Sequence, residues 1–92
     1  MYYKVRLDNA RVRALEFRFK PGEKEGLHSH PEGVVLALAD ATYKNSFPDG
    51  SVSTHSAKQG DVEGSDAVTH SGENVGNTDA HFYRVELKNC TK

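Results

Sequence analysis

Apolar and polar residues alternate along most of this chain in short runs. No stretch longer than about ten residues carries the three-and-four spacing of an amphipathic helix. The pattern predicts an all-β protein of about eight to ten short antiparallel strands separated by Gly, Pro and Asn turns. Tyr2 to Leu7 reads as the first strand, and Asp8-Asn9 as the turn after it. Arg11 to Phe19 places Leu15, Phe17 and Phe19 on one side and Glu16 and Arg18 on the other. Val12 and Ala14 break that phase, as a bulge or burial on both faces would require. Val34 to Ala39 (VVLALA) is continuously apolar, which predicts a central strand covered on both faces. Ala41 to Phe47 alternates again, with Tyr43, Asn45 and Phe47 sharing a face. Pro48-Asp49-Gly50 is a hairpin turn, since Pro presets φ and Gly supplies a positive φ. Ser51 to Ala57 is polar and suits a sheet edge. Two short strands are expected between Asp61 and His70, and a tight loop between Glu73 and Asp79. His81 to Lys88 (HFYRVELK) closes the chain as a strongly alternating strand.

The segment from Pro21 to Val35, PGEKEGLHSHPEGVV, carries the chemistry. His28 and His30 stand two residues apart, and in an extended strand such residues point to one face. Pro31 disfavours helix for His30, which supports the extended reading. Two imidazoles converging on one side begin a metal site. Glu23 and Glu25, in the turn before them, read as a solvated face rather than an acid–base pair. No phosphate-cradling glycine loop precedes a helix, and no serine or threonine sits in a strand–turn–helix elbow.

Composition narrows the classes. Ninety-two residues with 36% apolar content make one domain, spanning 1–92, with a thin stability margin. Pairing with a second copy, as a homodimer, is therefore expected. The formal net charge is −1 with both signs interspersed, so neither nucleic acid nor membrane is an expected partner. No apolar run is long enough to span a bilayer, and MYYKVRLDN lacks a signal-peptide core. Cytoplasm is the default location. The one cysteine, Cys90, reads as an ordinary free thiol.

The histidine strand and the segment from Gly60 to Asn74 together resemble the cupins, small jelly-roll barrels with two spaced motifs. The first motif runs Gly, five residues, His-x-His, three or four residues, Glu, six residues, Gly. Gly22, His28 and His30 fit its opening. The second runs Gly, five residues, Pro-x-Gly, two residues, His, three residues, Asn. Gly60, His70 and Asn74 fit that one, and THSGENVG, from Thr69 to Gly76, is similar to its ending in single-domain bacterial members. Several positions depart. No Glu stands at the expected place: counting from the two ends of the first motif leads to Gly33, Val34 or Val35, and Glu32 is out of step. Asp66 and Val68 replace the Pro and Gly of the second motif, and His70 comes one residue early.

The resemblance implies an antiparallel jelly-roll barrel in which His28, His30 and His70 hold a divalent ion. Three nitrogen donors suit zinc, iron, nickel, copper or manganese, and the residues do not select among them. The implied activity is that of a small metal-dependent enzyme, dioxygenase- or isomerase-like, acting on a small organic molecule. The alternative is a non-catalytic module that binds a small ligand in the same cavity. Tyr43 and Phe47 are candidates for the cavity wall, although core packing is the commoner role of such aromatics. His81 shares parity with Tyr83, Val85 and Leu87 and can turn inward, beside the site or onto a cavity wall, though a structural histidine is the commoner outcome. Asp66 reads as a solvated rim residue or a partner of His70. His55 reads as exposed, and Asn74 as a side chain that bonds loop backbone.

Overall fold

The computed structural model describes residues 3–88. Cys90 lies outside them. The described residues form nine strands and no helix. These are β1 (Tyr3–Asp8), β2 (Val12–Phe19), β3 (His28–His30), β4 (Gly33–Ala37), β5 (Ala41–Ser46), β6 (Val52–Ala57), β7 (Val62–Ser65), β8 (Val68–Asn74) and β9 (Ala80–Leu87). They build a five-stranded sheet ordered β1-β2-β9-β4-β7 and a four-stranded sheet ordered β3-β8-β5-β6. Every pairing is antiparallel. The chain crosses between the sheets repeatedly, as a jelly roll requires.

The core lies between the sheets. Leu15, Phe17, Phe19 and Ala80 are its buried centre, and Tyr3, Ala41 and Phe82 pack against them. Phe17 and Phe82 stack with centroids 4.9 Å apart and planes 9° apart, an offset pairing that adds about 0.5–1.5 kcal/mol beyond burial. Asn74, 1% exposed, fastens the loop after β8. Its Nδ2 donates to the Phe19 and Thr78 carbonyls at 3.0 and 2.8 Å, and its Oδ1 accepts the Gly76 N–H at 3.0 Å. This is the loop-backbone role expected of it. The Pro48-Asp49-Gly50 turn also forms as expected, with Gly50 at φ 89° and Asp49 Oδ1 accepting from Ser51 N at 2.9 Å. β6 is an edge strand, again as its polarity requires.

Of the two readings of Val12 and Ala14, burial on both faces holds: β2 is regular, with Ala14, Leu15, Glu16 and Phe17 all buried, and the register shift falls in β1, between Val5 and Leu7. Three expectations are corrected. β4 is an interior strand next to the β7 edge, not the centre of its sheet, and it is covered on its inner face only. Val34, on the outer face, is 39% exposed, because no second layer packs there. β9 presents the opposite face from the one its apolar residues suggested. Phe82 and Arg84 pair with Phe17 and Leu15 across β2 and so face inward, while His81, Tyr83, Val85 and Leu87 face outward. His55 stands on the inner face, paired with Tyr43, half-exposed and bonded to Glu63 Oε2 at 2.8 Å.

Candidate metal centre

The register between β3 and β8 brings the histidines together. His28 lies directly opposite His70, and His30 opposite Val68. Alternation along β3 puts His28 and His30 on one face, so a ladder of three residue pairs assembles the trio. Ring centroids stand 4.6 Å apart for His28 and His30, 4.7 Å for His28 and His70, and 5.4 Å for His30 and His70. One ring nitrogen from each lies within 4.8 Å of the other two.

Each imidazole is held by its Nδ1. His28 Nδ1 meets the Gly26 carbonyl at 2.6 Å, His30 Nδ1 the Glu86 carboxylate at 2.6 Å, and His70 Nδ1 the Asn45 Oδ1 at 3.0 Å. All three partners accept hydrogen bonds, so each Nδ1 carries the proton and donates it. Each Nε2 is then left with a free lone pair, the form that a metal ion takes up. His28 Nε2 and His70 Nε2 are buried without a hydrogen-bond partner. Burial lowers the pKa of His70 from 6.5 to about 4, with the neighbouring His28, His30 and Arg84 adding to the effect. Burial also lowers that of His30, against its hydrogen bond to Glu86. Neutral His30 and His70 rings near neutral pH suit ligation. Converging ring nitrogens without hydrogen-bond partners fit a divalent ion.

The other candidates distribute differently. Tyr43 and Phe47 line a cavity of about 390 Å³ beside the histidines, with Phe17, Phe19, Phe82 and Arg84. Phe47 stacks on the His70 ring at 6.5 Å, and burial raises the pKa of the Tyr43 hydroxyl. Asp66 is an exposed residue at the cavity rim. Glu32 is exposed and stands apart from the trio. His81 turns outward, its Nε2 2.6 Å from Glu16 Oε2, and takes the structural role.

Four residues of the site escaped the sequence pattern. Glu86, Arg84 and Asn45 were hidden because a polar residue on an alternating strand ordinarily faces water. Glu86 and Arg84 are 7% and 6% exposed. Arg84 Nη2 donates to the Pro31 carbonyl and Ser65 Oγ at 3.2 and 3.1 Å. Glu25, read as solvated, has a side chain only 18% exposed, with Oε1 3.0 Å from His28 Nε2. Burial raises its pKa, partly offset by His28.

No family model matches the chain, and no curated protein matches it. Solved structures do. A cupin domain from Bordetella pertussis Tohama I shares 29% identity at a TM-score of 0.86, covering 95% of this chain and 92% of its own. An RmlC-like cupin with a double-stranded β-helix fold from Methanocaldococcus jannaschii superposes at 0.73 with 13% identity, covering 92% and 77%. An oxalate decarboxylase from Lactobacillus farciminis, solved as a formate complex, superposes at 0.64 with 17% identity. That match covers 89% of this chain and 25% of the larger protein.

Proposed function

We propose that this chain, whose fold is that of the cupins it superposes on, holds one divalent metal ion through His28, His30 and His70 and acts on a small organic molecule in the adjoining cavity. The observation that carries the reading is the set of three Nδ1 anchors, which leaves two buried Nε2 atoms without partners. A bound ion supplies Lewis acidity or a redox centre. The chain does the rest. Glu86 and the backbone and amide carbonyls orient the imidazoles, while Phe17, Phe82 and Tyr43 wall the cavity and exclude water from an apolar or aromatic substrate body. Arg84 places a guanidinium on the same wall, where it favours an anionic end. The reaction class we propose is dioxygenase- or isomerase-like chemistry.

Metal analysis of protein purified without an affinity tag tests the reading. About one divalent ion per chain is expected, and His70→Ala should lower retained metal at least about tenfold. Metal content unchanged by that substitution would overturn the three-histidine assignment. A chain that binds small molecules equally well with and without metal would instead be a binding module.

A further inference from the structure

The cavity wall carries a second histidine site, apart from the trio. His55 on β6 and Glu63 on β7 both line the cavity, and His55 Nε2 stands 2.8 Å from Glu63 Oε2. β6 and β7 are free edges of the two sheets, so the pair bridges from one sheet to the other. A carboxylate only accepts, so Nε2 carries the proton of the neutral ring and Nδ1 keeps a lone pair. No described residue bonds that Nδ1. A carboxylate thus fixes the tautomer of an imidazole whose other nitrogen is a base. The trio has the reverse arrangement, with Nδ1 held in each ring.

Register sets the dyad beside the trio. Asn45, which holds His70, is followed inward along β5 by Tyr43, about 7 Å away, and Tyr43 pairs with His55. Two groups there suit the charge that a departing proton leaves behind. The Tyr43 ring lies 5.5 Å from that of His55, and its hydroxyl bonds no described residue. Burial and Glu63 raise its pKa, so it stays a donor. Arg84 lines the same cavity, 6% exposed, with Nε buried and unpartnered.

We infer that His55, oriented by Glu63, is a general base of this cavity, and that the substrate is a carbon acid, a small molecule with a C–H bond next to a carbonyl. His55 Nδ1 takes the proton, the C–H electron pair forms the enolate double bond, and the carbonyl oxygen takes the charge. The Tyr43 hydroxyl and the Arg84 guanidinium hold that oxygen. Return of the proton to another carbon is an isomerisation that consumes no co-reactant. The inference rests on the isomerase-like reading of the cavity and supplies its base, which does not require a bound ion.

A nitrobenzisoxazole is the probe, a flat aromatic carbon acid. Removal of its ring C–H proton sends the electron pair into a nitrile and breaks the N–O bond, releasing a coloured phenolate. Wild-type protein should turn it over with saturation. His55→Gln should lower kcat at least about a hundredfold, with KM and the urea midpoint unchanged. Glu63→Ala should lower kcat at least about tenfold with KM unchanged, because Glu63 orients the base without touching the probe. His70→Ala should keep turnover, since the trio's bare nitrogens are the competing bases. Turnover that survives His55→Gln, that His70→Ala removes, or that the wild type lacks would overturn the inference. The metal content of His70→Ala tests the trio separately, so either reading can fail without the other. Should His55→Gln not fold, the ring nitrogen chemical shifts of the wild type decide: a bare Nδ1 on the neutral ring supports the base, and a protonated Nδ1 overturns it.

Discussion

Glu16 sits 7% exposed on the outer face of the five-stranded sheet, where a lone carboxylate would be costly. Two guanidinium groups and an imidazole gather on it. His81 Nε2 is 2.6 Å away, Arg6 Nε 2.7 Å and Arg18 Nη2 3.2 Å. The hydrogen bond from His81, then that from Arg6, hold its carboxyl down from 4.5 to about 2. A folded pKa below the unfolded one means that the unfolded chain takes up the proton first on acidification. The stabilisation is therefore full above about pH 4.5 and is lost as pH falls toward 2. Glu16→Gln should flatten the acid limb of a urea-midpoint profile in that window. A mutant profile parallel to the wild type would remove Glu16 from the account of acid sensitivity. His28, His30 and His70 were legible as candidates because spacing and strand parity act locally. The partnership of His81 with Glu16, 65 residues apart, was not, because nothing local links them.

Strand boundaries followed the alternation closely, since period-two patterning is a property of the strand itself. Which face of a strand turns inward did not. β9 buries Arg84 and Glu86 because the site uses them, and its Val85 takes the outer side. Polar satisfaction between the sheets outweighed apolar burial there. β4 shows the same dependence on neighbours. Gly33 lies where β4 meets β9 and β7, and any Cβ would strike Val85 carbonyl oxygen at 2.3 Å. Gly33→Ala should thus push the strands apart and lower stability by about 1–3 kcal/mol, read as a lower urea midpoint. An unchanged midpoint would show that β4 and β9 separate there at no cost. The same crowding explains why a carboxylate side chain has no seat at this position.

At the scale of the molecule, the outer face of the five-stranded sheet is unpartnered. Leu7, Val34, Val62 and Leu87 are 50%, 39%, 65% and 44% exposed, and the register places all four on that face. We propose that it pairs with a second copy, as the low apolar content of so small a chain already suggested. Light scattering should give twice the chain mass, and Val34→Lys with Val62→Lys should give the monomer. Monomeric wild-type protein at micromolar concentration would rule this out. Among the described residues no helix is long and apolar enough to cross a membrane. The sequence by itself determined the all-β class, the turns, the strand limits and the three imidazoles, because each follows from alternation, turn chemistry or spacing within a few residues. Only the tertiary structure decided which face each strand buries, which acceptor holds each imidazole, and that Glu25 stands against them. Those depend on strands distant in the chain meeting in one register, and a linear pattern does not encode which partner lies across the sheet.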